Sequence, residues 1–568
     1  MPKQMSVTKI RREHKRQLGQ FLTPPAIAQA LVDRVTLGRG DKVLEPSMGD
    51  GAFVIPLIER FLPLYDGPLP ARLAQVLAHN VYGVELDPAL YARCLDNIRA
   101  RWGDLPAQHN FLCADFFRCD FLAQPGESGA AMRGVAFTHI VGNPPFGGTL
   151  DPALQDALDG VYGFRNGEKI KKESYAFFIV KSLDLLAPGG RLCFICSDTF
   201  LTIQTMRGLR RLLMSQGEVT IASLPYFSDE TAHPMVVLDF ARRGAAASAV
   251  TVNGVRVPRE RIELTGNFSW RITGDLAKYF AGPVLGDYLI ASSGMTVGKN
   301  AWFVRAIVEG AIVEPYAFEF FADPITLDQE RARARLGQLS PQKVAQVRAQ
   351  EASGATRRAV RIVPRSSPAR VPLPHPDYCY YNKGVSAILY TPPTHVIYWK
   401  DDGDAVLTFK KNGPWYLHGV GGQPYFKREG LTWQLIAAAL HTRYLPAGYI
   451  LDSGAPCAFL RRGVAHDELY FILGWTLTRL CNRLLKEVIN HTKNIQGKDF
   501  ERLPYPCWVT PPVKAEIVAA VRRLVEEAQR GRRFTRQSAE VVWLEEKFAF
   551  DADAKHGLRQ PMEAEVGA

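Results

Sequence analysis

Nowhere in its 568 residues does the chain run eighteen apolar residues together, so no membrane-spanning helix is expected. The basic opening, with Lys3, Lys9, Arg11, Arg12, Lys15 and Arg16, leads into no apolar stretch, so no secretory signal peptide is expected either. Nine cysteines are scattered without framework spacing, which argues against a disulfide scaffold and suits a reducing cytoplasm, the expected location. Cys193 and Cys196 do form a C-x-x-C, but inside a stretch that reads as a buried strand, where positions three apart face opposite sides. Core packing is the reading there, and no metal site is expected. There is no internal repeat.

What is present is a globular balance, 47% apolar and 22% charged, in a chain long enough for two or three domains. The formal net charge of +12 suits a polyanionic partner, although a merely basic enzyme fits that charge equally. The first half alternates candidate strands (42–45, 81–86, 111–115, 137–142, 191–197, 219–224, 235–240) with helical patterns (24–35, 52–61, 88–102, 173–186, 204–214). That alternation predicts a Rossmann-like, doubly wound α/β sheet, mostly parallel, with ligands at the carboxyl ends of its strands. We expect a catalytic domain at 1–245, a linker at 246–284 opened by the alanine run after Gly244, and a mixed α+β domain at 285–510. A C-terminal helical segment follows at 511–568. Within the second domain, 327–351 reads as a charged helical insert and 357–370 as a basic loop.

Glu45-Pro46-Ser47-Met48-Gly49-Asp50-Gly51 follows the first strand and runs into a helix, so the backbone can pass close to a ligand at a helix start. No G-x-x-G follows, so a dinucleotide fingerprint fits poorly, and no Walker lysine follows either. Glu85, at the end of the second strand, can accept bonds from two ribose hydroxyls. Asp115 and Phe116, after the third, offer a carboxylate for an adenine amino group and a ring for stacking. After the fourth strand stands Asn143-Pro144-Pro145-Phe146. An exocyclic amino nitrogen is a poor nucleophile while its lone pair is delocalised into the ring. The Asn143 side-chain oxygen and the Pro144 carbonyl can accept its two hydrogens and draw it toward tetrahedral geometry, two prolines hold both acceptors, and Phe146 offers a face for the base.

These motifs resemble the gamma-class N6-adenine DNA methyltransferases, the TaqI-type and restriction–modification methylase group that includes PglX-like proteins. The resemblance implies S-adenosylmethionine as cofactor, adenine in duplex DNA as substrate, and a C-terminal target recognition domain. It implies that Thr23 and Pro24, in Gly19-Gln-Phe-Leu-Thr-Pro-Pro25, clamp the methionine end of the cofactor. Glu45, Pro46, Gly49 and Gly51 match the glycine motif, Glu85 the ribose acid, Asp115 with Phe116 the adenine pocket, and Asn143 to Phe146 the catalytic tetrad. Phe227, in Leu224-Pro-Tyr-Phe-Ser228, matches the aromatic that sandwiches a flipped adenine. Segments 285–300, 427–433 and 491–506 resemble recognition-domain stretches, and Lys493, Asn494, Gln496 and Lys498 are the candidate DNA contacts.

The same Asn-Pro-Pro-aromatic motif occurs in enzymes that methylate RNA bases and protein glutamine. A clamp placed before the glycine motif and about 300 following residues favour DNA. A non-catalytic DNA-binding modification subunit is disfavoured by intact Glu85, Asp115, Asn143 and Phe146. Only about twenty residues precede the clamp, and no glutamate lies between Pro376-Asp377 and Glu429, so no fused nuclease is expected. A restriction endonuclease or defence-system proteins encoded separately, and a monomer on DNA, complete the expectation.

Overall fold

The computed structural model describes residues 22–119, 134–146, 152–224, 234–272, 274–297, 299–327, 341–408 and 422–549. The chain divides into two compact units, Met1–Ala277 and Lys278–Ala568. Among the described residues no helix is long and apolar enough to cross a membrane.

Among the described residues the first unit's main sheet has nine strands: β1 Val43–Glu45, β2 Val81–Glu85, β3 Asn110–Cys113, β4 Phe137–Gly142, β5 Leu186–Ser197, β6 Gly217–Ser223, β7 Met235–Arg242, β8 Ala249–Val252 and β9 Val255–Pro258. They lie in the order β9-β8-β6-β7-β5-β4-β1-β2-β3. From β3 to β5 every pairing is parallel, and β7 runs antiparallel to both β5 and β6. The inner strands are apolar without alternation, because both faces are covered. One face buries Val43, Val81, Phe111, Val141 and Ile195 against α1 Pro25–Val32, α2 Val54–Phe61, α3 Leu69–His79 and α4 Pro88–Trp102. α5 Pro152–Tyr162, α6 Ser174–Leu185 and α7 Arg207–Gln216 follow along the chain. α3 escaped the sequence reading, although Leu73, Val76 and Leu77 mark its buried stripe.

Cys193 and Cys196 are buried, Cys193 in the same cluster as Ile195 and Cys196 outside it, as strand alternation requires. Burial pushes the Cys193 thiol up to about 12, so it is inert at neutral pH.

The segment expected as a linker, 246–284, is structured through most of the first unit's end. β8 pairs with β6 and with β9, burying Val250 and Val257. Beyond them Trp270 is fully buried edge-on to Phe200. The fully buried Arg210 of α7 donates to the carbonyls of Phe268 at 2.8 Å, Asn267 at 2.5 Å and Ile203 at 3.0 Å, and also to that of Phe200. The alanine run imitates a linker, but the alternation that follows it is a hairpin.

The second unit carries two four-stranded sheets, one of Leu289–Ser292, Cys457–Leu460, Gly430–Thr432 and Arg443–Leu445, the other of Val304–Ala306, His395–Tyr398, Tyr378–Asn382 and Tyr449–Leu451. The expected basic loop at 357–370 is instead a strand, Thr356–Pro372, paired along Ala311–Pro324 in a long two-stranded ribbon. Val360 and Ile362 face Phe320 and Phe318 across it and pack on the core, an alternation the arginines obscured. Of the helical insert expected at 327–351, residues 341–351 lie in the helix Pro341–Ala352, and 328–340 lie outside the described residues. Pro511–Gln529 and Ala539–Lys547 are the C-terminal helices.

Candidate functional site

Glu45 ends β1, Glu85 ends β2, Asp115 stands two residues after β3, and Asn143 follows β4 directly. Because these strands are neighbours in the order β3-β2-β1-β4 and all parallel, the four residues line one edge of the sheet.

Glu85 is 6% exposed and accepts backbone N–H groups from Gly49 and Asp87, each at 2.8 Å, one on each carboxylate oxygen. Burial raises its pKa, and those two donors pull it back. Each oxygen keeps a lone pair for a hydroxyl donor. Gly49 (φ 55°) and Gly51 (φ 95°) carry the turn into the next helix; a Cβ on Gly51 would stand 2.9 Å from Cys94 Sγ. Met48 N–H donates to the Val84 carbonyl, which ties the turn to β2.

Glu45 is 1% exposed and accepts from Ser47 N–H at 3.1 Å. Burial pushes its carboxyl up to about 8, with Glu85 adding to the rise. Its close packing has a local cause: a Cβ on Gly142 would lie 2.3 Å from Glu45 Oε1, so the strand end before Asn143 has room only for glycine. Pro46 is buried beside it.

Asn143 donates its amide to Thr23 Oγ1 at 3.1 Å, which links the Thr23–Pro25 segment to the Asn-Pro-Pro-Phe turn. Thr23 is buried and Pro24 half-buried at the start of α1. Ser47 Oγ donates to the Asn143 carbonyl at 3.4 Å, and Ser174 Oγ of α6 to the Pro145 carbonyl at 2.5 Å. The Pro144 carbonyl between them takes no hydrogen bond from a described residue. Pro144 is buried, while Phe146 is half-buried against the α1–α4 face of the core. Ser47, Gly142 and Ser174 were not singled out from the sequence, although Ser47 and Gly142 sit inside the two motifs. A cavity of about 620 Å³ lies beside Leu22, Thr23, Pro24 and Asp50, and its lining does not include Glu85, Asp115 or Asn143.

Asp115 caps the short helix Phe116–Arg118, accepting Phe117 N–H at 2.9 Å, and its side chain is 19% exposed. Phe116 differs from expectation. Its ring is 3% exposed and stacks on Phe178 of α6 at 4.9 Å, while Lys181 reaches its carbonyl at 2.6 Å. It is a core residue, with no open face for a base. Phe227 lies outside the described residues.

In the second unit Lys493, Asn494, Gln496 and Lys498 are all exposed. Lys498 pairs with Glu501 at 2.6 Å, and Gln496 donates to Asn494 Oδ1 at 2.7 Å. Beneath them Asn490 donates to the Asn494 carbonyl at 2.9 Å and to Asp499 at 2.8 Å.

Residues 108–230 match the family model described as Eco57I restriction-modification methylase. The Type II methyltransferase M.TthHB8I of Thermus thermophilus is 30% identical over 235 residues, 40% of this chain and 46% of that protein. The Type II methyltransferase M.BstVI of Geobacillus stearothermophilus is 28% identical over 239 residues, 39% of this chain and 42% of that protein. The matches thus span less than half the length of either relative. The Type IIL restriction-modification enzyme MmeI, solved in complex with DNA, superposes with a TM-score of 0.52 at 12% identity over 98% of this chain and 74% of its own. The fold of MmeI is therefore shared along nearly the whole chain. The family match takes in Asp115 and the Asn143–Phe146 turn, so the end of β4 lies in the stretch that is similar to restriction-modification methylases.

Proposed function

We propose that the chain is a site-specific DNA methyltransferase acting on the N6 amino group of adenine, with S-adenosylmethionine as its methyl donor. The observation that carries this reading is the turn after β4, where the Asn143 carboxamide and the Pro144 carbonyl sit on the same strand edge as Glu45 and Glu85. The donor set fits the cofactor: acids crowd this edge of a chain whose formal net charge is +12, so a cationic methionine end and a ribose diol find acceptors there. Glu85 would take the ribose, Asp115 the adenine amino group, and Glu45 with Thr23 and Pro24 the methionine end. When bound, the cofactor supplies an electrophilic methyl group.

The chain's own residues then have defined work. Thr23 holds the Asn143 amide nitrogen, so the carboxamide oxygen is presented as the acceptor. Ser47 and Ser174 hold the carbonyls on either side of Pro144. The two acceptors draw the amino hydrogens of a base and localise its lone pair, so no base of special pKa is required for attack. Within a duplex the amino group is paired and edge-on, so the adenine must be extruded, and Phe146 and Phe227 are the rings proposed to hold it. The second unit, about 290 residues long, is proposed to read the DNA sequence.

The test is expression of the full chain in a host free of DNA methylation, followed by sequencing for modified bases. N6-methyladenine at one recurring motif is expected, and none from Asn143→Ala. Modification of RNA alone, or of cytosine, would overturn the reading.

A further inference from the structure

Ile436 is 64% exposed, more than any other large apolar side chain among the described residues. A single exposed aliphatic residue is ordinary on a surface. What sets this one apart is how much of the second unit is spent on fixing its backbone. Leu435 N–H donates to the Gly454 carbonyl at 3.0 Å, Ile495 N–H to the Leu435 carbonyl at 2.7 Å, and Ala437 N–H to the Lys493 carbonyl at 2.7 Å. Ile436 thereby stands directly opposite Asn494 in an antiparallel bridge.

The support continues underneath. Lys486 lies in a π-helical turn, Leu484–Ile489, and its ammonium donates to the carbonyls of Ala437 at 3.2 Å and Thr492 at 2.7 Å, so one half-buried cation holds both segments. Trp433, fully buried and stacked on Phe500 at 4.3 Å, donates its indole N–H to the Ile495 carbonyl at 3.0 Å. Asn490 and Asp499 fix the remainder of the loop. Buried polar groups organised so thoroughly beneath an exposed tip are the mark of a preorganised contact. The tip presents one apolar knob opposite Asn494, with exposed Lys493 and Gln496 in the same loop, which carry a cation and amide donors and acceptors.

We infer that Ile436 is a wedge that enters the DNA base stack, with Asn494 and Gln496 meeting base edges beside it and Lys493 a phosphate. An aliphatic side chain inserted at a base step loses its exposure to water and unstacks the step, which eases extrusion of a nearby base. The inference rests on the DNA-methyltransferase reading and adds to it a residue that acts on the DNA rather than on the reacting nitrogen.

The experiment uses the full chain and a duplex containing the motif found by sequencing, with 2-aminopurine placed in turn at each position. Wild type is expected to raise fluorescence at one step beside the target as well as at the target. Ile436→Ser should abolish the flanking signal and lower kcat/KM by about tenfold or more, the loss expected from one buried aliphatic side chain. Ile436→Leu should keep both. The thermal midpoint should not move in either variant, because the side chain is exposed in the free protein. If wild type modifies adenine at a motif but Ile436→Ser keeps the flanking signal and the rate, the wedge is wrong and the enzymatic reading stands. If wild type modifies no adenine, both fall.

Discussion

Glu45 is the place where stability and cofactor binding should pull in opposite directions. Its carboxyl is 1% exposed and its pKa is pushed from 4.5 up to about 8, chiefly by burial. Below pH 4.5 the group is neutral in both folded and unfolded chains and costs nothing. As pH rises from there to 8 the unfolded chain gives up the proton while the native one keeps it, so stability falls by about 1.4 kcal/mol per pH unit. Above 8 the loss levels off, at roughly 4–5 kcal/mol in all. Glu45→Gln cannot ionise and can still accept from Ser47, so the cofactor-free variant should unfold at higher urea than wild type at pH 8 and at the same urea near pH 4.5. A difference in midpoint that stays flat with pH would refute the buried-acid argument. If the cationic end of the cofactor sits beside Glu45, binding must also expel the proton. At pH 7 a group with this pKa is about nine-tenths protonated, so wild type should release close to one proton on binding. Calorimetry in two buffers of different ionisation enthalpy measures that release, and Glu45→Gln should bind more weakly and release none. Tight binding by wild type without proton release would move the methionine end away from Glu45.

Asn143→Ala should abolish methyl transfer at near-wild-type cofactor affinity, whereas Glu85→Ala should weaken cofactor binding first; equilibrium binding and single-turnover rates on DNA separate the two. Gly142→Ala should destabilise the chain by about 2–4 kcal/mol in urea, because its Cβ would overlap the Glu45 carboxyl at a φ of 155° that disfavours side chains. Phe227→Ala should reduce 2-aminopurine fluorescence at the target and the methylation rate with little change in cofactor affinity, and Phe227→Trp should preserve all three; a greater effect from Tyr226→Ala would reassign the aromatic.

The strand ends were legible because burial on both faces makes parallel strands continuous apolar runs, and because an acid or Asn-Pro-Pro at the end of such a run has few other reasons to be there. β4 and α4 match the expected bounds residue for residue. Phe116 was misjudged because sequence adjacency to Asp115 says nothing of which way a ring turns; α6, far along the chain, claims it through Phe178. The ribbon at Thr356–Pro372 was hidden because five arginines on one strand read as a solvated loop unless Val360 and Ile362 are matched to Phe318 and Phe320. The support beneath the 491–496 loop could not be seen at all, since Lys486, Trp433 and Ala437 meet there only through tertiary structure.

Arg210 has a practical consequence for dividing such chains. Cutting at 245, where the composition invites it, would take away the Asn267 and Phe268 carbonyls that two of its donors need. The carbonyls of Phe200 and Ile203 would remain, but a buried guanidinium short of two acceptors costs on the order of 1–3 kcal/mol, a sizeable part of a domain's whole stability. Trp270 would leave with them and uncover Phe200. A fragment of the first unit that keeps these contacts must therefore extend through Ala277. Hybrids that graft one chain's second unit onto another's first should likewise be joined after Ala277, on the far side of the arginine's acceptors rather than at the alanine run.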